Sequence, residues 1–229
     1  MNTTERQNDW IDDWLSTPRF ATYVGAAGGS RPRALELYEW NARLSAAFLH
    51  DLGHLEVGLR NAYDRLLSTA AVQGEGHWTE PQTLLQLFPV QQRTQRGRTI
   101  DVNKTARQKV ETARHLATGG RRVTPPPGKV IAEITFGFWT YLTSDAHEKT
   151  LWVPYLHKAF PPGSDRKRIN RTLITIRDFR NRVAHHEHIL RGAEAQRRQI
   201  HPLVRSLSPG AASHLATYSE VATILAQRP

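Results

Sequence analysis

Apolar residues recur at three- and four-residue intervals along almost the whole chain, the spacing of amphipathic helices. No pair of alternating stretches joined by a hairpin turn stands out, so the pattern predicts an all-α fold. A first helix over residues 10–23 carries Trp10, Ile11, Trp14 and Leu15. The glycine-rich stretch 25–30 reads as a loop, and Pro32 suits the first turn of the next helix. Over 34–50, Leu37, Trp40, Leu44, Ala47 and Phe48 share one stripe. A break at Asp51-Leu52-Gly53 is expected to separate it from a helix carrying Leu52, Leu55, Leu59, Ala62, Tyr63 and Leu66, the two packing as a pair. The pattern gives no reason for Gly58 inside the second of these.

The middle of the chain differs. Residues 91–122 hold Arg93, Arg96, Arg98, Lys104, Arg107, Lys109, Arg114, Arg121 and Arg122 among few large apolar residues, which predicts an exposed basic helix. Gly119-Gly120 and Pro125-Pro126-Pro127 close it with a loop. Val130, Ile131, Ile134, Phe138, Tyr141 and Leu142 then predict a buried helix, and 151–160 a short aromatic one stopped by Pro161-Pro162-Gly163. Ser164 or Asp165 can cap the long helix that runs toward His185, and two more helical segments follow at 193–207 and 209–227. The flanking segments are each too amphipathic to stand alone. The expected organisation is therefore one domain over 1–229, with an N-terminal helix and loop at 1–30 and a basic insertion with its Pro/Gly loop at 91–128.

Composition narrows the partners. The 229 residues include 31 Lys and Arg against 21 Asp and Glu, a formal charge of +10, and no cysteine. Disulfides and thiolate metal sites are excluded, which leans toward a reducing compartment. Arginine dominates the positive charge, and its planar fork suits phosphate contacts and base stacking, so a nucleic-acid partner is favoured beside the plainer reading of a solvated basic surface. The polar N-terminus and the lack of any apolar run near the roughly 18 residues of a membrane span predict a cytoplasmic protein with no membrane partner.

The chemistry lies where polar residues interrupt an apolar stripe. In the helix beginning at Arg166, the inward positions are Ile169, Leu173, Ile176, Phe179 and Val183, and Arg180 falls among them. A buried guanidinium left unpaired costs several kcal/mol, so Arg180 needs a carboxylate, ordered water or a phosphate. Glu56, set among Leu52, Leu55 and Leu59, is the expected partner, with Asn41 or Asn61 completing its hydrogen bonds and Arg60 beside them. His185, His186 and His188 follow. Arg180 and His185 lie about 140° apart on a straight helix, so one face cannot hold both. A bend, a helix end or a second copy of the chain is required. The competing reading is a metal site at His185 and His188, which lacks an evident third ligand beyond Glu187.

The run Arg180-Asn181-Arg182-Val183-Ala184-His185-His186-Glu187 resembles the R-x4-6-H motif of HEPN ribonucleases. A wider set of segments resembles the Abi-like abortive-infection proteins: Leu37-Tyr38-Glu39-Trp40-Asn41, His54 through Asn61, Thr135-Phe136-Gly137-Phe138-Trp139, and Leu151-Trp152 through Leu156. The resemblance implies a HEPN-type helical bundle with additional helices and metal-independent endoribonuclease activity without a cofactor. It also implies a homodimer whose two motifs line one cleft, and a role in phage defence or as a toxin, under a regulatory RNA or antitoxin. Arg180 and His185 inherit the catalytic roles; Asn181, Glu56, Arg60, Asn61 and His186 are supporting. RNA contacts are expected at Arg182, Arg166, Lys167, Arg168, Arg107 and Arg114. The alternative is a non-catalytic RNA-binding module in which the same Arg and His only hold phosphate.

Overall fold

A computed structural model describes residues 9–71, 76–95 and 97–229. The fold is all-α, with one small hairpin. Helix α1 (Asp9–Leu15) and helix α2 (Thr17–Ala26) replace the expected single N-terminal helix. Pro18 explains the break, because its ring would collide with the carbonyl of Trp14 in a continuous helix. Ser16 makes the corner with φ 64°.

Helix α3 (Arg31–Ala70) is the spine of the molecule, 40 residues long and about 60 Å from end to end. The Ser30 hydroxyl caps it by accepting from the Arg33 amide at 3.4 Å. The expected break at Asp51-Leu52-Gly53 is absent, and the predicted helix pair is one helix. Its stripe of Leu37, Trp40, Leu44, Phe48, Leu52, Leu55, Leu59 and Tyr63 keeps step throughout. Asp51 is a buried anchor in place of a breaker: its carboxylate accepts from the Ser219 hydroxyl at 2.7 Å and faces the His50 and His201 imidazoles at 3.0 and 3.3 Å. These contacts tie α3 to the C-terminal helices. A Cβ at Gly53 or Gly58 would meet nothing within 4 Å, so packing does not explain either glycine.

The basic insertion is more than a helix. After α4 (Pro81–Leu87), strands β1 (Gln92–Gln95) and β2 (Arg98–Asp101) form an antiparallel hairpin with Arg93 opposite Ile100 and Thr94 opposite Thr99. The two strands read QRTQ and RTID, which carry almost no apolar alternation, so the sequence held no strand signal. Asp101 organises its end. One carboxylate oxygen accepts from the Gln91 and Asn103 amides at 3.1 and 3.0 Å, and the other pairs with Arg107. The Arg107 guanidinium chiefly holds this carboxyl below its ordinary range, desolvation opposing it.

Helix α5 (Lys104–Ala117) buries Ala106, Val110 and Ala113 and packs on α6 (Pro127–Glu133), which a turn at Ile134-Thr135 separates from α7 (Phe136–Tyr141). The expected aromatic helix over 151–160 is instead a π-helical turn, Glu148–Trp152, followed by the 3₁₀ turn Leu156–Ala159. Pro154, lacking an amide hydrogen, interrupts any α-helix there. Helix α8 (Arg166–Ala184) then runs against α3, with Phe179 edge-on to Phe48 at 4.8 Å between centroids. Asp165 is its cap, accepting from the Lys167 amide at 2.8 Å. Helix α9 (Ala193–Leu207) matches its predicted span, while the last segment divides into α10 (Pro209–Tyr218) and α11 (Val221–Ala226). Among the described residues, no helix is long and apolar enough to cross a membrane.

Candidate functional site

The inward face of α8 is the one its spacing predicts: Ile169, Leu173, Ile176, Phe179 and Val183 are all buried. Arg180 lies at the edge of that face with 39% of its side chain exposed. Its Nε stands 3.7 Å from Oε2 of Glu56, so two helices from opposite halves of the chain set the guanidinium. At that distance the pair is a loose electrostatic contact that leaves the fork free for further oxygens. Arg60, one turn along α3 from Glu56, has a buried Nε with no hydrogen-bond partner. Glu56 and Arg60 thus lie one turn apart on α3, and Arg180 of α8 meets the first of them.

The asparagines behave differently from expectation. Asn41 is buried, and its Oδ1 accepts from the Ile189 amide at 2.8 Å. It fastens the chain after the motif to α3 and does not complete the Arg180 contacts. Asn61 and Asn181 are exposed.

The motif ends where the helix ends. His185 is the C-cap of α8, and His186 follows with φ 56°. The His186 amide donates to the Val183 carbonyl at 3.0 Å and the Glu187 amide to the Arg182 carbonyl at 2.9 Å. This bond pair is the Schellman closure, which normally places glycine at the left-handed position. A histidine there costs about 1 kcal/mol or more in backbone strain. The strain is held from outside by Arg19 of α2, which donates to the His186 carbonyl, and by Arg182, which donates to the His188 carbonyl at 2.7 Å and lies 3.5 Å from Glu187. Arg182 thus braces the turn, although it was expected to contact RNA.

The His185 imidazole is exposed at the helix end, and no hydrogen bond joins it to Arg180. The helix end resolves the geometric conflict only in part. It frees His185 from the helical register without bringing it to Arg180 within one chain. Among the described residues, no three His, Asp or Glu side chains gather as potential metal ligands, so the His185–His188 metal reading finds no cluster to support it.

Three arginines expected on RNA are engaged inside the fold. Arg166 is 4% exposed and donates to the Thr143 carbonyl at 2.7 Å, with Asp145 and Glu148 as counter-ions. Arg107 donates to the Phe88 carbonyl at 2.8 Å besides pairing with Asp101. Arg114 donates to the Thr79 carbonyl at 3.0 Å and lies 3.2 Å from Glu80. Their positive charge is satisfied by the protein itself, and phosphate contact does not fit that placement. Lys167 and Arg168, on the same helix as Arg166, are exposed and remain open to a ligand.

Arg19 was the contact sequence reasoning missed. It lies 167 positions from the carbonyl it binds, and nothing local marks that pairing.

The arrangement is an all-α scaffold in which a long helix presents an arginine beside a carboxylate and ends on an exposed, strained histidine turn. The chain matches the Abi-like protein family over residues 19–191, which takes in α3, the insertion and the whole of the Arg180–His185 run. It belongs to the Abi-like protein family. No curated protein and no solved structure matches the chain.

Proposed function

We propose that this protein is a metal-independent endoribonuclease of the HEPN type, acting in abortive infection or as a toxin. The observation that carries the reading is the pairing of Arg180 with Glu56 next to a helix end that exposes His185. RNA brings its own nucleophile, the 2′-hydroxyl, so cleavage needs proton transfer and charge stabilisation on the phosphorane. His185 moves the proton, a role worth about 10²- to 10⁴-fold. Arg180 meets the non-bridging oxygens with a permanent charge. Glu56 orients Arg180 without occupying the whole fork, and Asn181 and Arg60 flank the same region. Attack of the 2′-oxygen on phosphorus expels the 5′-oxygen of the next nucleotide, leaving a 2′,3′-cyclic phosphate and a 5′-hydroxyl.

Since Arg180 and His185 are not joined within one chain, the productive site is composite. Two copies meet across the C-terminal end of α8, so that Arg180 of one faces His185 of the other. Lys167 and Arg168 supply more distant phosphate contacts.

The test is incubation of the purified protein with RNA in EDTA, followed by end-group analysis, and sequencing of cellular RNA ends after expression of wild type and His185→Ala. Cyclic-phosphate ends from wild type alone are expected. Cleavage that depends on added divalent metal, or that survives in His185→Ala, defeats the mechanism. RNA binding without cleavage in either form identifies a non-catalytic binding module.

A further inference from the structure

A cleft of about 670 Å³ lies between α1 and α2, the first half of α3, and the turn after α8. Ser16 and His186 are, among the described residues, the non-glycine positions with positive φ, and both line it. Strained backbone therefore converges on one depression from two distant parts of the chain.

Its walls carry polar groups without partners. Ser45 is 7% exposed, and its hydroxyl has no hydrogen-bond partner. Asn41 gives its Oδ1 to the Ile189 amide, which fixes the orientation of the side chain, and its amide nitrogen has no partner among the described residues. A buried polar group left unpaired costs roughly 1–3 kcal/mol, so the Ser45 hydroxyl marks a place where something else completes the bond. The floor is apolar, formed by Ala42 and Ala46 with Leu49 beside them. Trp14, 81% exposed, also lines the cleft, as does Arg19, whose Nη2 holds the His186 carbonyl while its other N–H groups have no partner among the described residues.

We propose that this cleft is a nucleobase-binding subsite for the RNA, selecting a base with two adjacent acceptors, as guanine presents with O6 and N7. The proposal rests on the ribonuclease reading for its biological meaning, and on the cleft alone for its chemistry. An aromatic face, an apolar floor and a few fixed donors are what a splayed-out base requires. The polarity of the donors decides which base. Asn41 recognises adenine only when it accepts and donates together, and here its oxygen already accepts from the Ile189 amide, which leaves one lone pair, while its N–H groups are wholly available. Arg19 offers only N–H, so the cleft is richer in donors than in acceptors: guanine's oxygen and nitrogen meet complements, and adenine's amino group competes for the one remaining acceptor site of Asn41. His186 lines the cleft one residue from His185, which places the held base beside the phosphate that His185 attends.

The experiment titrates the full chain in EDTA with GMP, AMP, UMP and CMP, following binding by NMR, and repeats it with Trp14→Ala, Asn41→Asp and Ser45→Ala. GMP is expected to bind about ten-fold more tightly than AMP. Trp14→Ala, at a position too exposed to affect folding, is expected to weaken GMP about ten-fold. Asn41→Asp keeps the acceptor for Ile189 but removes the donor, and is expected to erase the preference for GMP. Equal binding of the four nucleotides, or binding indifferent to Trp14→Ala, overturns the proposal. So does a Trp14→Ala chain that changes only its oligomeric state by light scattering, which would mark the cleft as a seat for a second copy. Cleavage assays on the same proteins keep the two readings apart. Guanine selectivity without cleavage leaves the subsite standing and removes the ribonuclease. Cleavage without base preference and unaffected by Trp14→Ala does the reverse.

Discussion

The two ends of α8 carry arginines near carboxylates, and they solve opposite problems. At the N-terminal end Arg166 is buried, bonded to a backbone carbonyl and flanked by Asp145 and Glu148. At the C-terminal end Arg180 is partly exposed, 3.7 Å from a single carboxylate, beside a strained turn and an unengaged imidazole. An arginine held by a carbonyl and two carboxylates stabilises; one with a single loose carboxylate on a rigid helix is available. Sequence position did not distinguish them, because Arg166 was expected to contact RNA and Arg180 to be buried.

The sharpest way to break this comparison is to remove each end in turn. His185→Ala is expected to lower RNA cleavage by at least about 10²-fold while shifting stability by no more than about 0.5 kcal/mol, as measured by end-group assay and urea denaturation. Arg166→Ala should do the opposite. Loss of its carbonyl bond and packing is expected to cost about 2–3 kcal/mol of unfolding free energy in urea denaturation, less than a fully buried pair because its carboxylate partners are themselves open to water. Comparable cleavage per folded molecule is expected to remain. If both variants lose stability alike, the two ends are not functionally distinct.

Acid provides a second separation. His147 is buried edge-on against Phe88 and Tyr141, and burial, assisted by Arg93, pulls its pKa down to about 4 from 6.5. The unfolded chain therefore binds the proton more tightly. Stability is full above about pH 6.5 and falls as the pH drops toward 4, by a few kcal/mol at most. Thermal melts of wild type and His147→Phe between pH 7 and pH 4 should diverge in that window, the variant losing less. The smallest expected effect is at the Glu56 contact: Glu56→Gln should change stability by less than about 1 kcal/mol but reduce cleavage about ten-fold through misorientation of Arg180. Unchanged cleavage would show that Glu56 does not position Arg180.

Much of the architecture was legible because amphipathic spacing is a local signal. The buried face of α8, the stripe of α3, the span of α9 and the cap at Asp165 all follow from residues within a few positions of one another. Where reading failed, a polar residue had an unforeseen partner. Asp51-Leu52-Gly53 looked like a break because an aspartate and a glycine interrupt the pattern, yet Asp51 is welcome inside a helix that meets Ser219, His50 and His201. The hairpin was invisible because its strands are polar on both faces and take their order from Asp101.

The candidate site divides along the same line. The Arg180–His185 run, its helix and the proximity of Glu56 were readable from spacing, since a charged residue in an apolar stripe announces that it needs a counter-charge. The strain at His186, the grip of Arg19 on its carbonyl and the cleft shared with Trp14 were not. By itself the sequence determined which helices form and which faces they bury, because backbone geometry and hydrophobic burial act over one or two turns. Only the tertiary structure decided which arginines are engaged and which are free, because a guanidinium's partner can sit anywhere in the chain, and no periodicity records a contact between residues 19 and 186.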